Sequence, residues 1–403
     1  MRTAILFDNF GPYHLARLRG AAEHGDVIAV EVAARSADYA WERSGVPGGL
    51  DHVVLAETAE DRRSGDRLRR AVRDRLAPLR PDAVAVPGWS SLASLVVTDW
   101  AAAAGVPAIV MTETNGWDFR RRAAGEFIKR GVVAHYSAGL GTSRSHAGYL
   151  EELGLPAESI FFGYNAVDNG YFEREAARVR AAPALPDAVA ALLPASARGR
   201  YFLASNRFIE KKNLSRLLRA YAAFREGRAE DAADWPLVIL GDGDLRPALE
   251  AEIAELQLAG HVHMPGFCQY GDLPSFYGTA GAFVHASTTE QWGLVVNEAM
   301  ASGLPVAVSR RCGCAEVLVR DGENGHAFDP FSTDAIRAAL AGLAHSPHLD
   351  VMGAASRGII ADWGPSRFGA GLRSAAQQAV ARRRRPAPGD RWRLNLAKRW
   401  ISR

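Results

Sequence analysis

Several features are scarce in this 403-residue sequence, and each shortage argues against a class of protein. The three cysteines, an odd number, argue against a framework of disulfide bonds. No apolar run reaches the roughly 18 residues of a membrane-spanning helix. The formal net charge of +3 is too small to indicate nucleic-acid binding. The N-terminus enters an apolar strand at once and has no signal-peptide pattern, which predicts a cytoplasmic protein.

The cysteines also give little support for a metal site. Cys312 and Cys314 are separated by a single glycine, but no second His or Cys pair stands at zinc spacing. We interpret the pair as small residues in a glycine-rich loop and expect no metal ion.

The first strand, loop and helix lack the glycine fingerprint of dinucleotide binding. Residues 4–7 form a short apolar strand, the loop at 8–14 contains Gly11, and a helix follows with Leu15 and Leu18 on one face. Such a unit opens a doubly wound α/β domain, in which ligands bind beyond the strand ends. Tyr13 and His14 are candidates for the lining of such a site. A hydride-transfer enzyme is disfavoured because the fingerprint is missing.

Short apolar strands alternate with helices along the chain, and this predicts an α/β protein. One hydrophobic core rarely exceeds about 250 to 300 residues, so 403 residues predict two domains.

The most informative stretch is residues 289–308, whose sequence predicts a loop, a helix, a turn and a strand. Gly293 would open the helix and Gly303 would end it. Bare amides at a helix start favour a diphosphate. Glu290 precedes the helix and Glu298 lies in its second turn, so the two acids could bind hydroxyl groups on two parts of one ligand.

Two glutamates separated by seven residues, around Trp-Gly-Leu and followed by Glu-Ala-Met-Ala-Ser-Gly-Leu-Pro-Val, resemble the motif of retaining GT-B glycosyltransferases, most closely family 4. The resemblance covers most of residues 1–381 and is looser in the first half. It implies two doubly wound, Rossmann-like α/β domains facing a central cleft. The acceptor-binding domain would comprise residues 1–167, with a helix at about 363–381 packing back on it, and the nucleotide-sugar-binding domain residues 168–362.

The resemblance also implies roles for individual residues in binding a nucleotide diphosphate sugar. Glu290 would hold hydroxyl groups of the donor sugar, and Glu298 would hold the ribose. Arg207 and Lys212 match the family's pair of cations, which neutralise the leaving diphosphate without a metal ion. The remaining donor contacts would come from Gly11 and the amides of Gly293, Leu294 and Val295 near the sugar and diphosphate, and from Gly266 and Phe267 near the nucleobase.

The chain departs from the family pattern after the strand at 106–111. Many family 4 enzymes have a histidine there, whereas this sequence has Glu113, Thr114 and Asn115. We predict that Glu113 is an acceptor-side residue, either a base for an acceptor hydroxyl or an anchor for a polyol or an amine. The alternative is a loop acid neutralised by the arginines at 120–122.

Basic residues are concentrated in two places. Residues 61–80 read as one arginine-dense amphipathic helix, and residues 382–403 read as a mobile basic tail. Either is a candidate for peripheral contact with the inner face of a membrane. Nearby acids, among them Asp61, Asp66 and Asp74, favour a solvated surface for the first.

The resemblance implies a metal-independent glycosyltransferase of hexosyl or N-acetylhexosaminyl type that needs no cofactor, and the high alanine and arginine content fits a bacterial source. Such an enzyme would move a sugar from a UDP- or GDP-linked donor, with retention of configuration, to a small-molecule, glycan or lipid-linked acceptor. No nucleic-acid partner is expected. Two alternatives of the same fold stay open: a phosphorylase or sucrose-type enzyme, and a non-catalytic nucleotide-sugar-binding protein.

Overall fold

The computed structural model describes residues 1–33, 45–118, 121–226 and 235–401. The chain divides into two units: unit 1 comprises residues 1–167 and 364–403, and unit 2 comprises residues 168–363. The loop predicted at 38–50 lies only partly within the described residues, because 34–44 fall outside them. Arg120 also falls outside them.

Within the described residues, the first part of unit 1 alternates strands with helices. The strands are β1 (Arg2–Phe7), β2 (Asp26–Ala33), β3 (Asp51–Ala56), β4 (Ala83–Pro87), β5 (Ala108–Met111), β6 (Tyr136–Gly141) and β7 (Ile160–Phe162). The helices are α1 (Pro12–Ala22), α2 (Ala59–Arg63), α3 (Gly65–Ala71), α4 (Leu92–Ala104), α5 (Ala123–Val133) and α6 (Arg144–Glu152). The strands pair in parallel in the order β3-β2-β1-β4-β5-β6-β7. Apolar side chains cover both faces of the sheet, as expected for parallel strands flanked by helices.

Unit 2 has the same architecture around a second parallel sheet. Its strands are β8 (Phe202–Ser205), β9 (Leu237–Leu240), β10 (Val262–Gly266), β11 (Ala282–His285), β12 (Val306–Ser309) and β13 (Gly325–Phe328). They pair in the order β10-β9-β8-β11-β12-β13. The helices are α7 (Asn169–Ala181), α8 (Asp187–Ala190), α9 (Leu214–Glu226), α10 (Arg246–Glu255), α11 (Leu273–Thr279), α12 (Leu294–Ala301), α13 (Ala315–Leu318), α14 (Thr333–Ala344) and α15 (Leu349–Ala361).

The chain then contributes α16 (Pro365–Ala381) and α17 (Pro388–Ile401) to unit 1. Helix α16 crosses α1 at a contact between glycines. A Cβ on Gly20 would lie 2.1 Å from the carbonyl oxygen of Pro365, and one on Gly369 would lie 2.0 Å from that of Gly20. Because no side chain fits between the two backbones, these glycines allow α16 to pack closely on α1.

Each sheet reverses its strand order at one position, between β1 and β4 in unit 1 and between β8 and β11 in unit 2. Doubly wound sheets bind ligands at this switch point, outside the carboxyl ends of the strands. In unit 2 the loops that leave β8 and β11 are residues 206–213 and 286–293. The first contains the predicted Arg207 and Lys212, and the second contains the predicted Glu290 and Gly293.

The prediction of a single helix at 61–80 is wrong. The stretch begins within α2, continues through α3 and a π-helical turn at Val72–Leu76, and ends in a 3₁₀ turn at Ala77–Leu79. Ser64 separates α2 from α3, because its extended backbone ends α2 and its hydroxyl accepts a hydrogen bond from the Arg67 amide.

The prediction of a mobile tail at 382–403 is also wrong. Residues Pro388–Ile401 form α17, whose Leu394 and Ala397 are buried against unit 1. The Lys398 ammonium donates a 2.7 Å hydrogen bond to Asp99 of α4. Composition indicated disorder because the apolar residues of α17 are spaced among arginines, but they align on one side of a helix. None of the helices in the described ranges has the length and hydropathy that crossing a bilayer requires.

Candidate functional site

The β8–α9 loop presents Arg207 and Lys212 at the switch point of unit 2. Arg207 is exposed, and its guanidinium has no ion-pair partner in the described part of the chain. Lys212 closes a 3₁₀ turn, and the next residue, Asn213, has a positive φ of 57°. The Asn213 amide group donates to the carbonyl oxygens of Ala286, at 3.0 Å, and Pro330, at 2.8 Å. This residue therefore ties the loop after β8 to the loop after β11.

The turn after β9 supports the same loop. Gly241 has a φ of 115°, and a Cβ there would lie 1.8 Å from the carbonyl oxygen of Asn206. A Cβ on Gly243 would lie 2.7 Å from the carbonyl oxygen of Phe208. The carboxylate of Asp242 accepts hydrogen bonds from its neighbour's amide and from Arg246, both at 2.8 Å. The Gly-Asp-Gly turn thus holds the segment around Arg207 in place.

Glu290 is the centre of a charged cluster. Its carboxylate forms an ion pair with Lys212, and its Oε1 lies 3.4 Å from the Lys211 ammonium. The side chains of Glu290 and Lys212 are 13% and 14% exposed, so this pair is shielded from water. The sequence predicts that Lys211 is only a solvated neighbour of the cation pair, but the structure places its ammonium in the cluster.

Buried His285 at the end of β11 completes the cluster. Its Nε2 lies 3.8 Å from the Glu290 carboxylate, beyond hydrogen-bond distance, and 3.2 Å from the Ser287 hydroxyl. Burial lowers the pKa of His285, which keeps the ring neutral. Burial alone would raise the pKa of Glu290, but His285 and the two lysines outweigh it and lower that pKa below its usual value. Glu290 is therefore a carboxylate at neutral pH.

The loop that contains Cys312 and Cys314 is hydrogen-bonded to the backbone of Glu290. The Glu290 amide donates to the Arg311 carbonyl oxygen at 3.1 Å, and the Gly313 amide donates back to the Glu290 carbonyl oxygen at 3.0 Å. Cys312 and Cys314 are buried, and burial raises the pKa of both thiols, so both stay protonated. In the described part of the chain, no group of three or more His, Cys, Asp or Glu side chains could hold a metal ion.

Helix α12 directs its N-terminus toward solvent beside Glu290. Gly293 begins the helix with a φ of 103°, which favours glycine. The amides of Gly293, Leu294 and Val295 have no hydrogen-bond partner among the described residues, and the Val296 amide is the first to bond back, to the Gly293 carbonyl oxygen. These three amides are half-exposed donors at the positive end of the helix.

Glu298 is placed differently from Glu290. It has no exposed surface, and its carboxylate accepts a 2.7 Å hydrogen bond from the Tyr277 hydroxyl of α11. Glu298 therefore links α12 to α11, and its predicted contact with a ribose stays a prediction. Gly266 and Phe267 follow β10, and Phe267 is 47% exposed there.

In unit 1, the predicted Gly11 has an extended backbone, and its amide donates to Nδ1 of His14 at 3.2 Å. Its conformation does not require glycine, and the amide is occupied. Buried Glu31, which the sequence analysis did not single out, accepts a 2.9 Å hydrogen bond from the Phe10 amide. Burial and the charge of Arg17 lower the pKa of His14 to about 3.

This lowered pKa predicts a dependence of stability on pH. Below pH 6.5, the usual histidine pKa, the unfolded chain binds a proton that folded His14 does not bind until about pH 3. The free energy of unfolding should therefore decrease as the pH falls through this range. In His14→Gln, whose amide oxygen can still accept from Gly11, part of this decrease should disappear when urea unfolding is compared between about pH 7.5 and about pH 5. His348→Gln, at an exposed position, should leave the decrease unchanged.

Glu113 is half-buried at the carboxyl end of β5, and its Oε2 accepts a 2.9 Å hydrogen bond from the Asn165 side chain. The alternative was that the arginines at 120–122 neutralise Glu113. Arg121 instead pairs with Asp118 and donates to the Tyr149 hydroxyl at 3.0 Å. The acid is thus oriented by an amide. Sequence order could not reveal this contact, because Asn165 is 52 residues away.

Residues 193–357 match the family model for glycosyl transferases group 1. The chain is 30% identical over 123 residues to alpha-monoglucosyldiacylglycerol synthase of Acholeplasma laidlawii, a match that covers 30% of each. It is 31% identical over 160 residues to GDP-mannose-dependent alpha-(1-6)-phosphatidylinositol monomannoside mannosyltransferase of Mycolicibacterium smegmatis, which covers 38% of this chain and 41% of the relative. The chain thus spans less than half the length of these relatives.

Solved structures resemble nearly the whole chain. The E. coli trehalose-6-phosphate structure bound with UDP-2-fluoro glucose has a TM-score of 0.73 at 13% identity and covers 94% of this chain and 99% of that one. Anabaena HepE in complex with UDP and glucose has a TM-score of 0.68 at 14% identity and covers 92% and 98%. At such identities the likeness concerns the fold alone. The predicted GT-B class, with two Rossmann-like units, is confirmed.

Proposed function

We propose that this chain transfers a hexosyl or N-acetylhexosaminyl group from a nucleotide diphosphate sugar to an acceptor nucleophile, because residues 193–357 match the family model for glycosyl transferases group 1. The observation that carries the proposal is the shielded pair of Glu290 and Lys212, with Lys211 at its edge, beside the free amides of α12. A carboxylate suits sugar hydroxyls, whereas the ammonium groups and amides suit phosphate oxygens.

The donor diphosphate would lie between the N-terminus of α12 and the β8–α9 loop. Arg207 and Lys212 would neutralise the charge that develops on the leaving phosphate as the glycosidic bond breaks. Because Arg207 has no competing partner among the described residues, it can turn toward this charge without breaking another pair. The nucleobase would lie near Gly266 and Phe267, and Glu298 would face the ribose. The relatives support a nucleotide-linked donor, since one is named as GDP-mannose-dependent.

We propose that the transfer retains the anomeric configuration by a front-face route. Glu290 would hold the oxocarbenium-like sugar, and the departing phosphate oxygen would accept the proton of the acceptor. The positive charge of Arg207 and Lys212 would stabilise that oxygen while the bond breaks. The route uses no nucleophile from the protein. The negative charge of the leaving phosphate is neutralised by side chains rather than by a metal ion.

Glu113 of unit 1 is proposed to bind the acceptor. Its carboxylate is oriented by Asn165, so it can accept a hydrogen bond from an acceptor hydroxyl or pair with an amine. Two of the relatives are named after glycolipids, a monoglucosyldiacylglycerol and a phosphatidylinositol monomannoside. A lipid-linked acceptor, met at the inner face of a membrane by a cytoplasmic enzyme, is therefore our first choice.

Donor binding can be tested by thermal denaturation with a panel of UDP- and GDP-sugars. A donor present at about 100 times its dissociation constant should add roughly 2.7 kcal/mol to the free energy of unfolding. Arg207→Ala should reduce this shift, because one of the phosphate-binding cations is lost. Arg200→Ala is a matched control, since Arg200 is also exposed but precedes β8 at the opposite end of the strand. Absence of a shift with every diphosphate sugar would contradict the proposal.

The phosphorylase alternative needs a different product. If the chain is a phosphorylase, incubation of a glycoside with inorganic phosphate should release a sugar phosphate without any nucleotide. If the proposal is correct, nucleoside diphosphate should accumulate in proportion to the glycosylated acceptor.

A further inference from the structure

Helix α17 has one side that fixes it to unit 1. Leu394, Ala397 and Lys398 are buried on this side, and Lys398 is hydrogen-bonded to Asp99. Arg393 forms a 3.1 Å ion pair with Asp390 on the same helix, and its guanidinium carbon lies 3.9 Å from the centre of the Phe127 ring of α5. The helix therefore has a defined orientation, and its opposite side is turned away from the unit.

Two tryptophans lie on that opposite side. Trp392 is 57% exposed and Trp400 is 63% exposed. They are eight residues apart, so they lie about 12 Å apart along the axis and their directions differ by about 80° around it, within one half of the helix surface. Leu396 and Arg399 lie on the same side of the helix. We call these four residues the outer face of α17. Exposed tryptophans repeated along one helix side indicate an interaction surface rather than an ordinary solvated one.

The surroundings of the outer face are strongly basic. Residues 382–403 contain eight arginines and one lysine but a single acid, Asp390. Arg382 and Arg385, just before the helix, are exposed and have no ion-pair partner among the described residues. Arg391 on the helix is 67% exposed and is 3.9 Å from Asp99. The excess charge is thus available to an external partner.

The other basic segment, residues 61–80, is partly neutralised by acids within it and next to it. Its arginines at 67, 69, 73 and 75 each form an ion pair with a nearby Asp or Glu at 2.7–2.8 Å. These ion pairs agree with the solvated surface that the sequence favoured for residues 61–80, and they leave residues 382–403 as the better candidate for membrane contact.

We propose that the outer face of α17 docks on the surface of an anionic lipid bilayer. The indole rings of Trp392 and Trp400 would lie at the level of the headgroups, where tryptophan is favoured because its ring is largely apolar and its N–H remains hydrogen-bonded. Arg382, Arg385 and Arg391 would contact lipid phosphates, and the helix would lie parallel to the membrane plane. Membrane docking by α17 does not depend on the proposed sugar transfer, because it concerns only the location of the protein at a membrane.

A second copy of the chain is a poorer partner for this face. If two copies met through this face, two clusters of like charge would come together, and the single acid of each, Asp390, is already paired with Arg393, so repulsion opposes association. Anionic headgroups, by contrast, complement the arginines and offer the interfacial layer that tryptophan prefers.

Co-sedimentation with vesicles tests the inference on the full-length protein. The parent should sediment with vesicles of phosphatidylcholine and phosphatidylglycerol but much less with phosphatidylcholine alone, and added salt should weaken the binding. The double variants Trp392→Ser/Trp400→Ser and Arg382→Glu/Arg385→Glu should each lower the partition coefficient by roughly tenfold or more. Because all four positions are exposed, both variants should unfold at the temperature of the parent.

Two controls have matched chemistry elsewhere. Phe331→Ser removes a 58% exposed aromatic residue from unit 2, and Arg69→Glu/Arg73→Glu changes paired arginines of the 61–80 segment. Both should bind vesicles like the parent. The inference would be overturned by parent protein that stays in the supernatant with anionic vesicles, or by outer-face variants that bind as the parent does. It would also be overturned by variants that convert a dimer to a monomer in the absence of lipid.

Discussion

Lys212→Met is expected to lower kcat/KM for sugar transfer about 100- to 1000-fold, the range found when one preorganised group is removed from a developing charge. Methionine keeps the length of the side chain but removes the ammonium that would stabilise the leaving phosphate. It also leaves the Glu290 carboxylate, only 13% exposed, without its closest cation. Transfer assays with a saturating acceptor would separate the loss in kcat from any rise in the donor KM.

Lys211→Met is the matched control, because the two lysines are adjacent and both contact Glu290. The Lys211 ammonium is 3.4 Å from the carboxylate, and its side chain is 39% exposed, so water screens its charge more strongly. Its loss should therefore cost only a few-fold in kcat/KM. If Lys211→Met lowers kcat/KM as much as Lys212→Met or more, Lys212 is not the main cation that stabilises the leaving phosphate.

A double-mutant cycle with Glu290→Gln distinguishes a pair from two independent residues. If Glu290 serves partly by positioning Lys212, the double variant should be much closer to the single variants than the product of their effects predicts. If the effects of the two single variants multiply in the double variant, Glu290 acts on the sugar and Lys212 on the phosphate independently.

Local sequence patterns identified the candidate donor-binding residues, and the structure shows which of them lie close together in unit 2. The glycine at 293, two acids at fixed spacing and a following strand are short-range features, and each reflects backbone constraints within about 20 residues. The family match for residues 193–357 and the GT-B fold are confirmed. The roles of Arg207, Glu290 and the α12 amides stay predictions, because the geometry shows what these groups can bind rather than what they do bind.

Contacts between distant segments could not be predicted. The interaction of Lys211 with Glu290 joins residues 79 positions apart, and the bond between Asn165 and Glu113 joins residues 52 apart. A buried acid such as Glu31 looks like any polar residue in a strand until the loop that donates to it is placed. The same limitation explains the error at 382–403, where burial of Leu394 and Ala397 depends on α4 and α5 rather than on the tail itself.

The prediction of one helix at 61–80 was wrong for a different reason. The residue that interrupts the helix, Ser64, is visible in the sequence, but the regular spacing of apolar residues outweighed it. Leu68, Val72 and Leu76 recur every four residues and are all buried, so the apolar face was correctly identified. The periodicity did not reveal that Ser64 would interrupt the helix or that the backbone would widen into a π-helical turn. Hydrophobic spacing reports which side is buried more reliably than it reports continuity.

Gly241→Ala is expected to lower the free energy of unfolding of unit 2 by roughly 3 kcal/mol, combining overpacking with an unfavourable backbone conformation. The new Cβ would lie 1.8 Å from the Asn206 carbonyl oxygen, at a φ of 115° that alanine strongly disfavours. The contact is with backbone, so it cannot be relieved by turning a side chain. Relief requires movement of the β8–α9 loop, which carries Arg207.

The variant should therefore weaken donor binding as well as stability, although Gly241 itself presents no side chain to a ligand. Gly271→Ala is the control, because Gly271 also lies in a turn of unit 2 but has no atom within 4 Å of an added Cβ and no positive φ. Its effect should stay within about 0.5 kcal/mol.

Urea unfolding measures the stability change, and the donor-induced thermal shift of the folded fraction measures the position of Arg207. A Gly241→Ala protein with a parental unfolding midpoint would show that the turn does not support the loop. Lost stability with an undiminished donor shift would show instead that Arg207 does not depend on that support.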